Sequence, residues 1–275
     1  MANEAAKADA FRLLHRRKGA FVIANPWDAG SCRILDCLGF EALATTSAGF
    51  AFSLGQRDNS VRRAQMLAHV TAITSVTDLP VSADLENGYG RTPDLVAETF
   101  HMCAATGAVG ASIEDATGNS ECPLFDLDQA VARVRAAVMA VARLPWKFTI
   151  TARAENYLVG VPDLPDVIRR LQAYQEAGAD VLFAPGVSNP RDIATLVSSL
   201  DRPVNVVMGL GGSPLTVAAL AELGVRRISL GSALCRTAFG ALIRAASEVR
   251  NEGSFRLLDE APRFQQLSNM FPEST

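Results

Sequence analysis

The sequence predicts an α/β protein, a (β/α)8 TIM-type barrel with extra C-terminal helices, and three observations predict it. Eight short runs of apolar and β-branched residues recur along the 275 residues. The segments between them carry helical patterning, and strands alternating with helices of that length specify a parallel sheet. Gly39, Gly107, Gly178 and Gly224 each stand where a helix C-cap precedes the next strand. Eight such units favour a closed barrel over an open doubly wound sheet, and single barrels routinely reach this length.

Taken in order, Met1 to Lys18 is polar with helical spacing and closes on Arg16-Arg17-Lys18. Strands are expected at Phe21–Asn25, Ala42–Ser47, Pro80–Glu86, Gly110–Asp115, Phe148–Ala154, Asp180–Pro185, Pro203–Met208 and Arg227–Gly231. Helices are expected, among others, at Thr92–Thr106, Leu127–Arg143, Asp163–Ala177, Arg191–Leu200 and Pro214–Leu223. After the eighth strand, Ser232–Asn251 and Phe255–Phe271 read as two further helices, free to pack on the barrel or on a neighbouring subunit. No linker, low-complexity tract or strong short repeat divides residues 1–275, so one domain is expected.

A net charge of −3 with interspersed acids and bases argues against nucleic-acid or membrane-surface partners. Five cysteines without a C-x-x-C spacing read as reduced thiols of an intracellular protein. No apolar run approaches transmembrane length and nothing resembles a signal peptide, so a cytoplasmic location is expected.

In such a barrel the active site lies at the C-terminal strand ends. The polar residues expected there are Asn25 and Asp28; Thr45, Thr46 and Ser47; Asp84 and Glu86; Glu114 and Asp115; Arg153 and Glu155; and Asn205. Asp84 and Glu86 stand two apart in a strand reading, which puts both carboxylates on one face. Adjacent carboxylates in a partly buried site repel unless a cation or proton intervenes. A hard divalent ion such as Mg²⁺ answers that need, with Glu114 as a third oxygen donor. The competing reading is a solvated strand end.

Arg153 offers a fork suited to a carboxylate or phosphonate, against an internal ion pair with Glu155 or Glu114. Ser47, with Ala48-Gly49, can present N–H groups to an anion, against a plain strand-to-loop turn. Trp27 and Phe50 are candidates to line the pocket, and Trp146 to pack at the barrel bottom. Gly209–Ser213 is either a phosphate-binding or a merely tight loop. His15, His69 and His101 fall on expected helices and read as packing or surface residues. A divalent ion beside an arginine and N–H donors describes a pocket for a small 2-oxo acid, where charge on a forming enolate could be stabilised.

Several ordered pieces carry a family resemblance: Asn25-Pro26-Trp27-Asp28, Thr45-Thr46-Ser47, Leu54-Gly55-x-x-Asp58, Ala83-Asp84-x-Glu86-x-Gly88-Tyr89-Gly90, Ser112-Ile113-Glu114-Asp115 and Ala152-Arg153-x-Glu155. Over nearly its whole length the chain resembles the isocitrate lyase / phosphoenolpyruvate mutase superfamily. The resemblance implies a tetramer of helix-exchanging dimers and Mg²⁺ at Asp84 with Glu86 and Glu114 nearby. It implies Ser47 and Arg153 on a substrate carboxylate, with Asp58 on a mobile loop over the site.

The loop after the Glu-Asp pair departs from the family. Lyases carry Lys-(Lys/Arg)-Cys-Gly-His there; this chain reads Ala116-Thr117-Gly118-Asn119-Ser120-Glu121-Cys122-Pro123. Cys122 keeps the lyase spacing without basic neighbours to stabilise a thiolate, so it stands as a candidate acid against an incidental thiol. The expected reaction is C–C cleavage or decarboxylation of a small 2-oxo acid such as oxaloacetate through a pyruvate-like enolate. The alternatives are P–C chemistry of the mutase or phosphonopyruvate hydrolase kind, and a non-catalytic 2-oxo-acid binder.

Overall fold

Eight parallel strands form where the eight apolar runs stand, and they follow one another around the sheet in the order β1-β8-β7-β6-β5-β4-β3-β2. The computed structural model describes residues 3–211 and 214–271. Helix α1 (Glu4–Arg16) leads into β1 (Phe21–Ile23), α2 (Ala29–Cys37), β2 (Leu43–Ala44), α3 (Ser47–Ser53) and α4 (Arg63–Thr74). Then come β3 (Val81–Asp84), α5 (Pro93–Ala104), β4 (Gly110–Glu114), α6 (Leu127–Val141), β5 (Thr149–Arg153) and α7 (Leu164–Glu176). The barrel finishes with β6 (Val181–Phe183), α8 (Pro190–Ser198), β7 (Val204–Val207), α9 (Val217–Glu222) and β8 (Arg227–Ser229). Beyond it run α10 (Ala233–Glu252), a 3-10 turn (Arg256–Glu260) and α11 (Phe264–Ser268).

Closure is narrow, one backbone bridge with Asn25 Nδ2 donating to Thr45 O at 3.1 Å beside it. β1 pairs with β8 over three residues, but meets β2 only through a bridge between Ala24 and Leu43, where the Ala44 amide donates to Ala24 O at 2.9 Å. The glycines expected to end helices do so: Gly39, Gly107, Gly178 and Gly224 all have left-handed φ between 82° and 105°. L-residues with a Cβ avoid that region, which is why glycine stands there.

The main core lies between strands and helices, around Leu85, Phe100, Ile113, Phe148, Ile150 and Leu171, each no more than 1% exposed. Full burial of one such side chain stabilises by about 1.5–3 kcal/mol. A second cluster seals the N-terminal end of the barrel, where Phe11 and Leu14 of α1 pack on Phe21, Ile23 and Val109, with Trp146 against them as expected. His15 and His69 are buried packing residues and His101 is exposed.

Three expectations need correction. β3 ends at Asp84, and Glu86 sits in the following turn with φ 49°, so the two acids do not share a strand face. The segment from Phe255 to Phe271 is two short helical pieces rather than one helix, because Pro262 cannot continue the first. Ser47 is the first residue of a helix capped by Thr46, whose Oγ1 accepts from the Gly49 amide at 3.2 Å, rather than part of a loose turn. Met1, Ala2, Gly212 and Ser213, included in the expected first helix and phosphate loop, lie outside the described residues. Among the described residues no helix is long and apolar enough to cross a membrane. All five cysteines are free.

Candidate active site

The strand ends place Asp84, Glu114 and Arg153 side by side, because β3, β4 and β5 are neighbours and pair Asp84 with Ser112 and Glu114 with Arg153. Asp84 is the hub. Its Oδ2 accepts from the Ser47 amide at 3.0 Å and from the Ser47 hydroxyl at 2.8 Å. Its Oδ1 lies 3.1 Å from Arg153 Nη1 and accepts from Ser112 Oγ at 3.4 Å. The Asp84 amide in turn donates to Thr45 Oγ1 at 2.8 Å, which fixes the strand end. Thr45 and Thr46 thereby position β3 and cap α3, and both also line the inner cavity described below.

Arg153 Nη1 also reaches Glu114 Oε2 at 3.1 Å, while Nε and Nη2 both meet Glu155 Oε1 at 2.9 Å. The guanidinium therefore bridges three carboxylates, with Phe183 beneath it at 5.2 Å. Burial opposes its charge, but Glu155, Glu114 and Asp84 outweigh that, and Arg153 is held protonated more firmly than a free arginine. Burial raises Glu114 and Glu155 above the usual carboxylate range, since one cation cannot balance all the acids around it.

Glu86 adds to the surplus. Burial, and then the charge of Asp84, push its carboxyl up to about 7. Its Oε1 is buried without a hydrogen-bond partner, as is the hydroxyl of Tyr89. Both residues hold left-handed backbone, at 49° and 54°. Strain of that kind in non-glycine residues persists only where the surroundings impose it, and it concentrates at functional sites.

Two adjoining cavities open on this cluster. One, of about 190 Å³, runs down the barrel from Ser47, Asp84 and Arg153 to Asn205 and Arg227. The other lies outward, between Asp58, Glu86, Glu114, Glu155 and the loop Ala116–Ser120. Asp58 lines both, at the mouth; partial desolvation, with Asp84 adding, raises its carboxyl. Asn205 is buried with its Nδ2 on Ser229 Oγ at 2.9 Å.

Several candidates are not brought to the cluster: Phe50 stacks on His69, Asp28 caps α2, and Asp115 is buried against Arg170 and Tyr174. Trp27 is half-buried with its Cβ against Gly49, and is not among the lining residues. Cys122 is exposed and lines an outer groove with Arg91, Thr92 and Pro93, away from Asp84. Ser112 was missed as a site residue, whereas Glu155 forms the internal ion pair with Arg153 that the sequence offered as an alternative. Ser112 stands two before Glu114 on β4, on the same face, which the strand period could have shown.

As they stand, among the described residues, no three His, Cys, Asp or Glu side chains converge closely enough to ligate an ion. Arg153 serves as the cation between Asp84 and Glu114. The donor chemistry still fits a hard divalent ion: all-oxygen groups, Asp84, Glu86, Glu114 and Glu155 around one guanidinium, and a buried Glu86 oxygen with nothing bound to it.

A model of the phosphoenolpyruvate phosphomutase family matches residues 11–250. The chain belongs to that family, within the PEP mutase/isocitrate lyase superfamily. A crystal structure from Burkholderia cenocepacia J2315, of a candidate lyase or mutase, is 53% identical to this family member, with a TM-score of 0.95 over 97% of this chain and 95% of that one. An uncharacterised protein of Mycobacterium tuberculosis H37Rv is 35% identical over 225 residues, 81% of each chain. The oxaloacetate decarboxylase of Paraburkholderia xenovorans LB400 is 31% identical over 231 residues, 81% of this chain and 74% of its own.

Proposed function

We propose that the protein is a Mg²⁺-dependent enzyme that cleaves a C–C bond of a small 2-oxo acid or related diacid such as oxaloacetate, as a lyase or decarboxylase. The observation that carries this reading is the excess of carboxylates around Arg153 at the barrel rim, including the unpartnered oxygen of Glu86. Asp84, Glu86 and Glu114 would hold the ion. When bound there, Mg²⁺ supplies Lewis-acid polarisation of the acid's carboxylate and keto oxygens.

The remaining work falls to the chain itself. Were Asp84 and Glu114 on the ion, Arg153 would keep Glu155 and turn its Nη1 edge to a carboxylate. The Ser47 amide and hydroxyl, which donate to Asp84 Oδ2 here, stand at the same edge, and Asn205 lies on the cavity wall below. Asp58 and the loop from Ala116 to Cys122 border the mouth, placed to limit water and carry protons. Cys122 reaches the site only if that loop swings inward from its present groove. The likeness to an oxaloacetate decarboxylase supports C–C chemistry. The description of the matching family favours the second reading, P–C chemistry on a phosphonate such as phosphonopyruvate. A non-catalytic 2-oxo-acid binder is the third, favoured by the placement of Cys122 outside the site.

The test is a turnover panel of 2-oxo acids, 2-hydroxy diacids and phosphonopyruvate, with and without Mg²⁺, on the wild type, Asp84→Ala and Cys122→Ser. The expected result is Mg²⁺-dependent consumption of a 2-oxo diacid, reduced about 10³-fold in Asp84→Ala and little changed in Cys122→Ser. Equal loss in both variants makes the thiol the acid. Phosphonopyruvate turnover in ³¹P spectra moves the assignment to P–C cleavage, and saturable binding without turnover moves it to the binder.

We also propose that residues 1–275 act as one barrel domain whose helices after about residue 232 exchange between subunits of a dimer of dimers. The support is α10, where only Cys235 and Glu248 of twenty residues are buried.

A further inference from the structure

Barrel interiors are ordinarily closed by layers of branched apolar side chains. Beneath the rim of this barrel the interior carries polar side chains among the apolar ones: Ser82, Ser112, Asn205, Arg227 and Ser229 line the inner cavity alongside Ile23, Ala44 and Val207. Arg227, on β8, is only 4% exposed. Its Nε donates to Asn205 Oδ1 at 2.9 Å and its Nη2 to Thr151 Oγ1 at 3.0 Å, while Nη1 lies 3.5 Å from His15 Nε2.

His15 is neutral here. Its Nδ1 is 2.8 Å from the Phe11 carbonyl, which requires a proton on Nδ1 and leaves Nε2 to accept. Burial and then the Arg227 charge hold this imidazole down at about 3. So the partners of Arg227 among the described residues, Asn205, Thr151 and His15, are all uncharged. Of the five N–H groups on a guanidinium, these contacts use three. Burial alone pushes the group down, to about 9, with no acid opposing it. Lysine or histidine so placed would shed its proton, whereas arginine remains a buried cation that calls for an anion.

We propose that Arg227, with Asn205, Thr151 and Ser229 around it, binds a small monovalent anion of carboxylate or halide size on the barrel axis. The cavity of about 190 Å³ that reaches Arg227 has room for such an ion and joins it to the Arg153 layer above. Thr151 stands two residues before Arg153 on β5, so the two guanidinium groups are served by one face of the same strand. The anion is therefore either a free ion or the far carboxylate of an acid held at the rim. The site itself does not depend on the reaction proposed above.

Thermal unfolding of the full chain in formate or bromide, at constant ionic strength against sulfate, tests the site. A saturable rise in Tm of about 2–4 °C is expected, and Arg227→Gln should abolish it. Bromide-soaked wild-type crystals should show an anomalous peak against the Arg227 guanidinium, a readout that survives if the variant does not fold. The proposal is overturned if neither anion shifts Tm beyond the sulfate control, or if bromide density is absent at Arg227. Displacement of bound formate by a four-carbon diacid, but not by oxalate, assigns the site to the far end of a rim-bound acid. Formate retained alongside both assigns it to a free ion.

Discussion

His69 shows how a single side chain sets a pH response without touching the site. Its ring stacks on Phe50 at 3.8 Å with 9° between planes, and its Nε2 is buried with no partner. Burial lowers its imidazole to about 4. A base whose folded pKa lies below its unfolded value of 6.5 is charged by unfolding, so the unfolded chain binds the extra proton between those values. Stability from this residue is complete above about pH 6.5 and is lost as pH falls towards 4, by at most about 1.4 kcal/mol per unit. His69→Phe keeps the stack and removes the proton. Its Tm should match or exceed that of the wild type at pH 7, and the gap should widen steadily down to pH 4.5. A gap independent of pH would mean that His69 titrates alike in both states.

Between residue and molecule lies the turn after β3, which one helix holds in place. Arg133 of α6 is 1% exposed and donates through Nη1 to Gly90 O at 2.6 Å and to Arg91 O at 2.8 Å. Its Nη2 donates to Asn87 O, and the guanidinium lies 4.0 Å from the Phe125 ring centroid. This clamp grips the same turn that carries the left-handed Glu86 and Tyr89. Arg133→Met strands three carbonyls and should cost about 2–4 kcal/mol. Because the damage is local, amide exchange at Gly88, whose N–H donates to Leu85 O at 2.8 Å, should accelerate more than exchange in β5. Uniform acceleration would show Arg133 to be a general stabiliser rather than a clamp.

No sequence pattern pointed to that clamp. Arg133 looks like one charge on an amphipathic helix, and its partners are carbonyls 42 to 46 residues away, which carry no side-chain signature. The left-handed Glu86 was hidden for a similar reason. The run Ser82 to Glu86 alternates as a strand should, yet the strand ends at Asp84 and the turn that follows is held from α6. By contrast, Asp84, Glu114 and Arg153 could be read because a barrel sends adjacent strand ends to one rim, so strand order alone makes them neighbours. The position of Cys122 depends on the path of a loop, which its spacing from Asp115 does not determine.

At the scale of the whole molecule, the C-terminal helices leave apolar surface unclaimed. Leu242 and Ile243 on α10 are 60% and 64% exposed, Phe255 is 62% exposed and Phe264 86%. Exposed apolar side chains of that kind are what a second copy of the chain would cover. Glu248, buried at 5%, accepts from the amides of Arg256 at 3.1 Å and Leu257 at 2.8 Å, so the segment beyond α10 is folded back with its apolar residues still outward. Leu242→Glu with Ile243→Glu should convert an oligomer to monomers in light scattering, with the barrel's circular dichroism unchanged. A wild type that runs as a monomer would refute the exchange of these helices.

The barrel's single-bridge seam between Ala24 and Leu43 has a consequence for how the cylinder fails. Every other strand pair shares at least two ladder residues, so thermal breathing should begin by unzipping at β1 and β2. The Ala44 amide should be the first barrel proton to exchange with deuterium. Since β2 runs directly into Thr45, Thr46 and Ser47, that opening would carry the Asp84 clasp apart with it.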